Sequence, residues 1–262
     1  MIGTNPLEGI KGILFDLDGV LYVGSRAIDG ANAAIERIRS AGFACRFITN
    51  TSTLSGASLQ RKVDALGFRV AAEEIISAPQ AALLYLKSRP DPVCRLLLAD
   101  DVKQDFREFR QSDMAADHIV VGDIGDAWTY RLMNEVFNCL IDGAKLIAIH
   151  KNRFWQTETG LQMDIGGFID ALEYASGVGA MLIGKPSPEF FRVALDAMGL
   201  RASEAAIIGD DIDTDVGGGQ LAGLAGILVK TGKYRQAYAD ASAIRPDVTL
   251  DSIRDLPAAL GL

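Results

Sequence analysis

Apolar residues in this chain gather into short runs that stop abruptly at polar ones. "GILF" runs into Asp16, "ACRFI" into Thr49 and Asn50, "AMLIG" into Lys185, and "AAIIG" into Asp210. Runs of this length, without polar alternation, predict strands buried on both faces, as in parallel sheets. Between and after them apolar positions recur at helical spacing: Ile28, Ala31, Ile35 and Ile38; then Leu59, Val63 and Leu66; then Phe191, Leu195 and Met198. Gly42, Gly67 and Gly199 stand where C-terminal caps are expected. Strands alternating with helices predict an α/β protein with a doubly wound, Rossmann-like parallel sheet. Such sheets bind ligands in the crevice beyond the carboxyl ends of their strands, so the polar residues ending all four runs are expected to converge there.

The chain between Thr49 and Lys185 is far longer than one crossover needs. It carries its own apolar runs, "RLLLAD", "HIVV" and "KLIAIH", and a helical stripe of Leu132, Met133, Val136, Phe137 and Leu140 that closes at Asp142-Gly143. The pattern predicts a smaller α/β domain, residues 80–179, inserted between core segments 1–79 and 180–262. No internal repeat or low-complexity segment interrupts this plan.

Composition narrows the function more than the fold. With 49% hydrophobic and 23% charged residues over 262 positions, the chain reads as an ordinary globular protein. A net charge of −8 argues against nucleic acid or an acidic membrane as the main partner. Cys45, Cys94 and Cys139 are widely spaced and odd in number, which predicts buried free thiols rather than a disulfide or zinc framework. No apolar run reaches membrane-spanning length, and a cytoplasmic protein is expected. His118 and His150 are the only histidines, and a structural role is the expectation for each.

Acidic residues carry the chemistry. "FDLDGVLY" sets Asp16 and Asp18 two apart just past one predicted strand, and "GDDIDTD" sets Asp210, Asp211, Asp213 and Asp215 past another. So many carboxylates at one crevice repel unless a cation neutralises them. Magnesium suits, because a hard cation takes oxygen ligands and needs only a few from protein. Asp213 is expected merely to decorate a helix's first turn, where the dipole favours negative charge. Three look-alike motifs fail. An EF-hand loop would need glycine at Val216 and glutamate at Ala222. Gly217, Gly219 and Ala222 match a dinucleotide fingerprint but follow an acidic loop that would repel a pyrophosphate. Gly179 and Gly184-Lys185 approach a P-loop, yet Pro186 stands where Ser or Thr must hold magnesium. Lys185 still sits before a helix predicted to open with Ser187 as N-cap and Pro188 at its first position.

In this order the segments "DLDGVLY", "ITN", "GKPSPEFF" and "GDDIDTDVGG" resemble the four motifs of the haloacid dehalogenase superfamily of phosphohydrolases. The strings "GLQMDIGGFIDALEYASG" and "GILVKTGKY" resemble its subfamily with a large inserted α/β cap, type IIA. The resemblance spans essentially the whole chain; Val20 departs from the threonine common in the first motif. It implies Asp16 as a nucleophile that becomes an aspartyl phosphate, with Asp18 as general acid and then base. It further implies Mg2+ held by Asp16, the Asp18 carbonyl and Asp210, and Lys185 as the phosphate-neutralising cation. Thr49 and Asn50 would bind phosphoryl oxygens, and Asp211 and Asp215 would orient Lys185 or metal-bound waters. His150, Arg153, Trp155 and Thr157, in the cap, become candidates to touch a small phosphorylated substrate, and a homodimer through the cap is implied. Two other classes stay open at this point: a non-catalytic receiver-like phosphoacceptor domain and a dinucleotide-binding oxidoreductase.

Overall fold

Six strands form the first sheet, in the order Val248–Leu250, Ala225–Val229, Ala205–Gly209, Gly12–Asp16, Ala44–Thr49, Ile75–Ser77. The computed structural model describes residues 5–157 and 160–262. Gly12–Asp16 pairs in parallel with a strand on each side, Gly12 lying opposite both Ala205 and Ala44. From this central strand the chain builds outward in one direction through Ala44–Thr49, and later in the other through Ala205–Gly209. The order therefore reverses between Gly12–Asp16 and Ala205–Gly209, which is the switch point where ligands bind in doubly wound sheets. The unbroken apolar character of these strands is explained by their burial: Ile13, Leu14, Phe15, Phe47, Ile207, Ile208 and Ile227 are all fully buried. The Phe15 and Phe47 rings stack across neighbouring strands at 5.2 Å.

Helices follow the predicted stripes. Ala31–Ser40 buries Ala31, Ala34, Ile35 and Ile38. Pro188–Met198 buries Phe190, Phe191, Ala194 and Leu195 and closes at Gly199 in the left-handed conformation (φ 65°). Ser187 occupies the N-cap position of that helix, but its side chain makes no capping bond; the Phe190 N–H donates to the Ser187 carbonyl instead.

The chain divides into two compact units, one of residues up to 49, 60–76 and 185–262, the other of residues 50–59 and 77–184. The second unit has its own five-stranded sheet, ordered Met181–Leu182, Lys145–Ala148, His118–Val121, Val93–Leu97, Arg110–Gln111, with every pairing parallel. Its core gathers Ile119, Val121, Val136, Leu140, Leu146, Ala148, Ile169 and Leu172 from the sheet and from helices Tyr130–Ile141 and Gly166–Ser176. The whole is an α/β protein with a doubly wound core sheet and an inserted smaller α/β cap.

One expectation is corrected. The run "AMLIG" is not a buried strand of the core sheet. It contributes only Met181–Leu182, at the edge of the second sheet, with Met181 40% exposed. A run so short satisfies its apolar demand against one neighbour, Lys145–Ala148. The chain leaves the sheet at Gly184, where a Cβ would come within 2.4 Å of Asn50 Oδ1 and 2.5 Å of the Ile149 carbonyl, so only glycine fits. Lys185 thus reaches the first unit at a crossover rather than at the end of a core strand.

Candidate active site

Asp16 is the last residue of the central strand and Asp210 the first beyond its neighbour, so the parallel register sets them side by side at the switch point. Asp215 joins them from a π-helical turn, Ile212–Gly217, a widened winding often found at functional sites. Carboxylate oxygens of Asp16, Asp210 and Asp215 lie within 4.8 Å of one another, and all three residues are buried. The buried Lys185 ammonium bridges two of them, donating at 2.6 Å to Asp16 Oδ1 and at 2.6 Å to Asp215 Oδ1.

Electrostatics here pull in opposite directions. Burial, reinforced by Asp215, pushes the Asp16 carboxyl up to about 7 although Lys185 pulls it down. Burial and the charges of Asp16 and Asp215 likewise hold Asp210 well above the usual carboxylate range. Burial works against the Lys185 charge, but Asp16 and Asp215 outweigh it and hold the ammonium protonated.

Asp210 is seated by the backbone. A Cβ on Gly19 (φ 87°) would fall 1.8 Å from Asp210 Oδ2, and one on Gly232 (φ 54°) 2.0 Å from the same oxygen, so glycine is required on both sides. The Lys233 N–H donates to that oxygen at 2.5 Å, and the Thr231 hydroxyl donates to the Gly19 carbonyl. Asp211 accepts from the Asp213 and Thr214 N–H groups and so caps the π-turn. Its other oxygen lies 3.6 Å from the Lys233 ammonium. Asp213, in the first turn as expected, accepts from the Tyr238 hydroxyl.

Asp18 differs from this buried group. Its side chain is 46% exposed; the Tyr22 hydroxyl donates to it at 3.2 Å and Lys62 lies 3.6 Å away. Burial, together with Asp18 and Asp16, raises the Tyr22 phenol far above its ordinary value, so it stays a donor. Thr49 is buried at the end of its strand, one residue past the Ile48 that faces Asp16. Asn50 belongs to the second unit.

Of the cap candidates, His150 is buried, with Nε2 3.1 Å from the Ser52 hydroxyl and 3.9 Å from Asp164. Arg153 is exposed. The side chains of Trp155 and Thr157 lie outside the described residues. His118 is buried against Asp117, and Cys45, Cys94 and Cys139 are buried free thiols. Burial pushes Cys45 and Cys94 up to about 11, which keeps them unreactive.

Three residues beside the acids were not anticipated: Tyr22, Lys62 and Lys233. Lys233 carried a usable signal. The apolar run "AGILV" also ends in polar residues, "KTGK", and the rule applied to the other strand ends points to it equally well.

Comparison with known proteins decides the family. Residues 13–110 match the family model for haloacid dehalogenase-like hydrolases and residues 182–256 that for HAD-hydrolase-like proteins. A bovine haloacid dehalogenase-like hydrolase domain-containing protein 2 is 39% identical over 94% of this chain and 93% of its own length. The chain belongs to the haloacid dehalogenase-like hydrolases. Human phospholysine phosphohistidine inorganic pyrophosphate phosphatase, 37% identical over 95% of this chain and 93% of its own length, is a relative of the same kind. Among solved structures, a p-nitrophenyl phosphatase from Archaeoglobus fulgidus superposes with a TM-score of 0.88 at 27% identity, covering 95% of this chain and 99% of that one.

Magnesium is typical of haloacid dehalogenase-like phosphatases, and the donor set here suits it. The site offers carboxylate oxygens, which a hard cation prefers. Lys185 occupies Asp16 Oδ1 and Lys233 occupies Asp210 Oδ2, while the other oxygen of each takes no hydrogen bond among the described residues. Both Asp215 oxygens are engaged, by Lys185 and by the Asp211 N–H, which suits that residue to holding Lys185.

Proposed function

We propose that the chain is a magnesium-dependent phosphatase that hydrolyses a small phosphomonoester, or a pyrophosphate or phosphoamidate, through an aspartyl phosphate on Asp16. One observation carries the reading: a buried ammonium held 2.6 Å from Asp16, with Asp210 beside it at the switch point. That arrangement supplies a nucleophile and a fixed positive charge in one buried place. The names of the human and archaeal relatives support the phosphatase class.

An oxygen of Asp16 attacks phosphorus, and the bond to the leaving group breaks as Asp18 gives that group its proton. Asp18 then takes a proton from water, which attacks phosphorus and releases inorganic phosphate and free Asp16. The exposure of Asp18 suits both duties, since it must exchange protons with leaving group and water. Lys185, oriented by Asp215, pulls the Asp16 carboxyl toward its ionised form against the effect of burial and offsets charge on the phosphoryl group. Mg2+, when bound by Asp16, Asp210 and the Asp18 carbonyl, supplies the charge neutralisation that lets one anion approach another. Thr49 and Asn50 bind phosphoryl oxygens. The inserted domain, residues 80–179, reads the leaving group, with Arg153, Trp155, Thr157 and His150 as its contact candidates; a homodimer forms through it, and the enzyme works in the cytoplasm. A receiver-like domain would be phosphorylated without turnover, and a dinucleotide-binding oxidoreductase would bind NADH. Phosphate release from p-nitrophenyl phosphate and a panel of phosphorylated metabolites, with Mg2+ and with EDTA, tests the reading. Magnesium-dependent release is expected, and no release from any substrate contradicts it.

A further inference from the structure

Four carboxylates, of Asp16, Asp210, Asp211 and Asp215, meet two ammonium groups, of Lys185 and Lys233. The two lysines are engaged differently. Lys185 spends two hydrogen bonds on Asp16 and Asp215 at 2.6 Å. Lys233 uses its backbone N–H to hold Asp210, while its ammonium stands 3.6 Å from Asp211, an ion pair beyond hydrogen-bond reach. Its side chain is 27% exposed, so its charge is only partly screened by water. Its backbone role and its charge role are therefore separable: a substitution removes the ammonium and leaves the N–H that seats Asp210.

The charges of Asp210 and Asp16, as well as that of the neighbouring Asp211, act on the Lys233 ammonium, and a positive charge that interacts with a cation's carboxylate ligands lowers the site's attraction for that cation, because like charges add their repulsion to the binding free energy. We propose that the Lys233 ammonium is a counter-charge that weakens the divalent-cation site, so that this residue sets how tightly the enzyme holds magnesium. It is a positioning residue for Asp210 through its backbone and an electrostatic brake through its side chain. The inference rests on the cation reading of the site given above.

The test is calorimetric titration of the full, metal-free protein with Mg2+, in the absence of substrate. Lys233→Met is expected to bind Mg2+ more tightly, by about tenfold. Lys233→Arg keeps the charge and is expected to bind as the parent does. Gly232→Ala places a Cβ 2.0 Å from Asp210 Oδ2 and is expected to bind more weakly. Local damage loosens a metal site, so tightening in the Met variant is a result that a merely structural role does not produce. Unchanged or weaker binding in Lys233→Met overturns the inference, as does an Arg variant that behaves like Met. A parent protein that binds no Mg2+ overturns the cation reading itself, and the inference with it.

Discussion

Each of the two units buries a cation, and the two burials differ in balance. In the second unit, Arg95 is buried with Glu135 at 2.7 Å and the Asp113 carbonyl at 2.7 Å, and Arg131 lies against the far oxygen of Glu135. Glu135 is 34% exposed, and hydrogen bonds from Arg95 and Arg131 hold its carboxyl below the usual range. The buried Arg95 charge is matched one to one by Glu135, with the second cation, Arg131, 90% exposed; the Arg95 Nε alone lacks a hydrogen-bond partner among the described residues. In the first unit, Lys185 faces Asp16 and Asp215 with Asp210 close by, and burial drives Asp16 and Asp210 upward despite the ammonium. A balanced buried pair fastens sheet to helix. An unbalanced one is costly to keep ionised and is relieved by a bound cation, so the imbalance marks the site.

The largest effect is expected from Asp16→Asn, which removes the carboxylate proposed to attack phosphorus. Turnover should fall by about four orders of magnitude or more while the circular dichroism spectrum stays that of the parent. Substantial residual phosphatase activity in the purified variant would remove Asp16 from the nucleophile's role.

The contrast between the units is sharpened by parallel substitutions. Lys185→Met strands buried carboxylates and should destabilise the protein by roughly 3–5 kcal/mol, part of which Mg2+ restores. Arg95→Met leaves a half-exposed Glu135 that water can solvate, and should cost about 1–2 kcal/mol, with no additional rescue by Mg2+. Denaturant titrations with EDTA and with Mg2+ compare the two. Equal magnesium rescue in both variants would erase the distinction.

pH gives a smaller effect of defined sign. The Asp16 carboxyl, ordinarily at 3.8, is raised to about 7 in the folded protein without metal. Between those values the folded form holds a proton that the unfolded chain has released, so metal-free stability falls as pH rises through this window. Asp210 shifts in the same direction. Magnesium competes with these protons, and its stabilisation should grow with pH over the same range. Melting temperatures measured with EDTA and with Mg2+ at both ends of the window check this. A magnesium shift independent of pH would show that the raised carboxyls are not its ligands.

Asp211→Asn is expected to change least. The amide keeps an oxygen to cap the π-turn and loses only the loose pairing with Lys233, a cost under about 1 kcal/mol in denaturant titration.

Much of this was legible in the chain because buried parallel strands need no tertiary information to be recognised. "GILF" and "AAIIG" announce themselves by unbroken apolar character, and the residues that end them, Asp16 and Asp210, follow by position alone. "AMLIG" has the same local character but lies at the edge of the other sheet, since a short apolar run says nothing of which sheet it joins. Tyr22 and Lys62 were missed for a related reason: neither a tyrosine in a short hairpin nor a lysine on a helix surface carries a periodic signal, and only the meeting of separate segments makes them part of a site. Lys233 differs, since it follows the apolar run Ala225–Val229 as the other site residues follow theirs. His150 stood out as one of two histidines beyond an apolar run, yet its ring is buried against Ser52, a pairing across distant positions that no spacing announces.

On the proposed mechanism, the excess of buried negative charge serves phosphoryl transfer through Asp16. Rapid acid quench during turnover, borohydride reduction and peptide mass spectrometry test it most directly, because reduction converts an aspartyl phosphate to homoserine at the residue that carried it. Homoserine is expected at position 16, formed only with both substrate and Mg2+, and absent from Asp16→Asn. Steady turnover with no reducible acyl phosphate at Asp16, or with the adduct on another carboxylate, would contradict it.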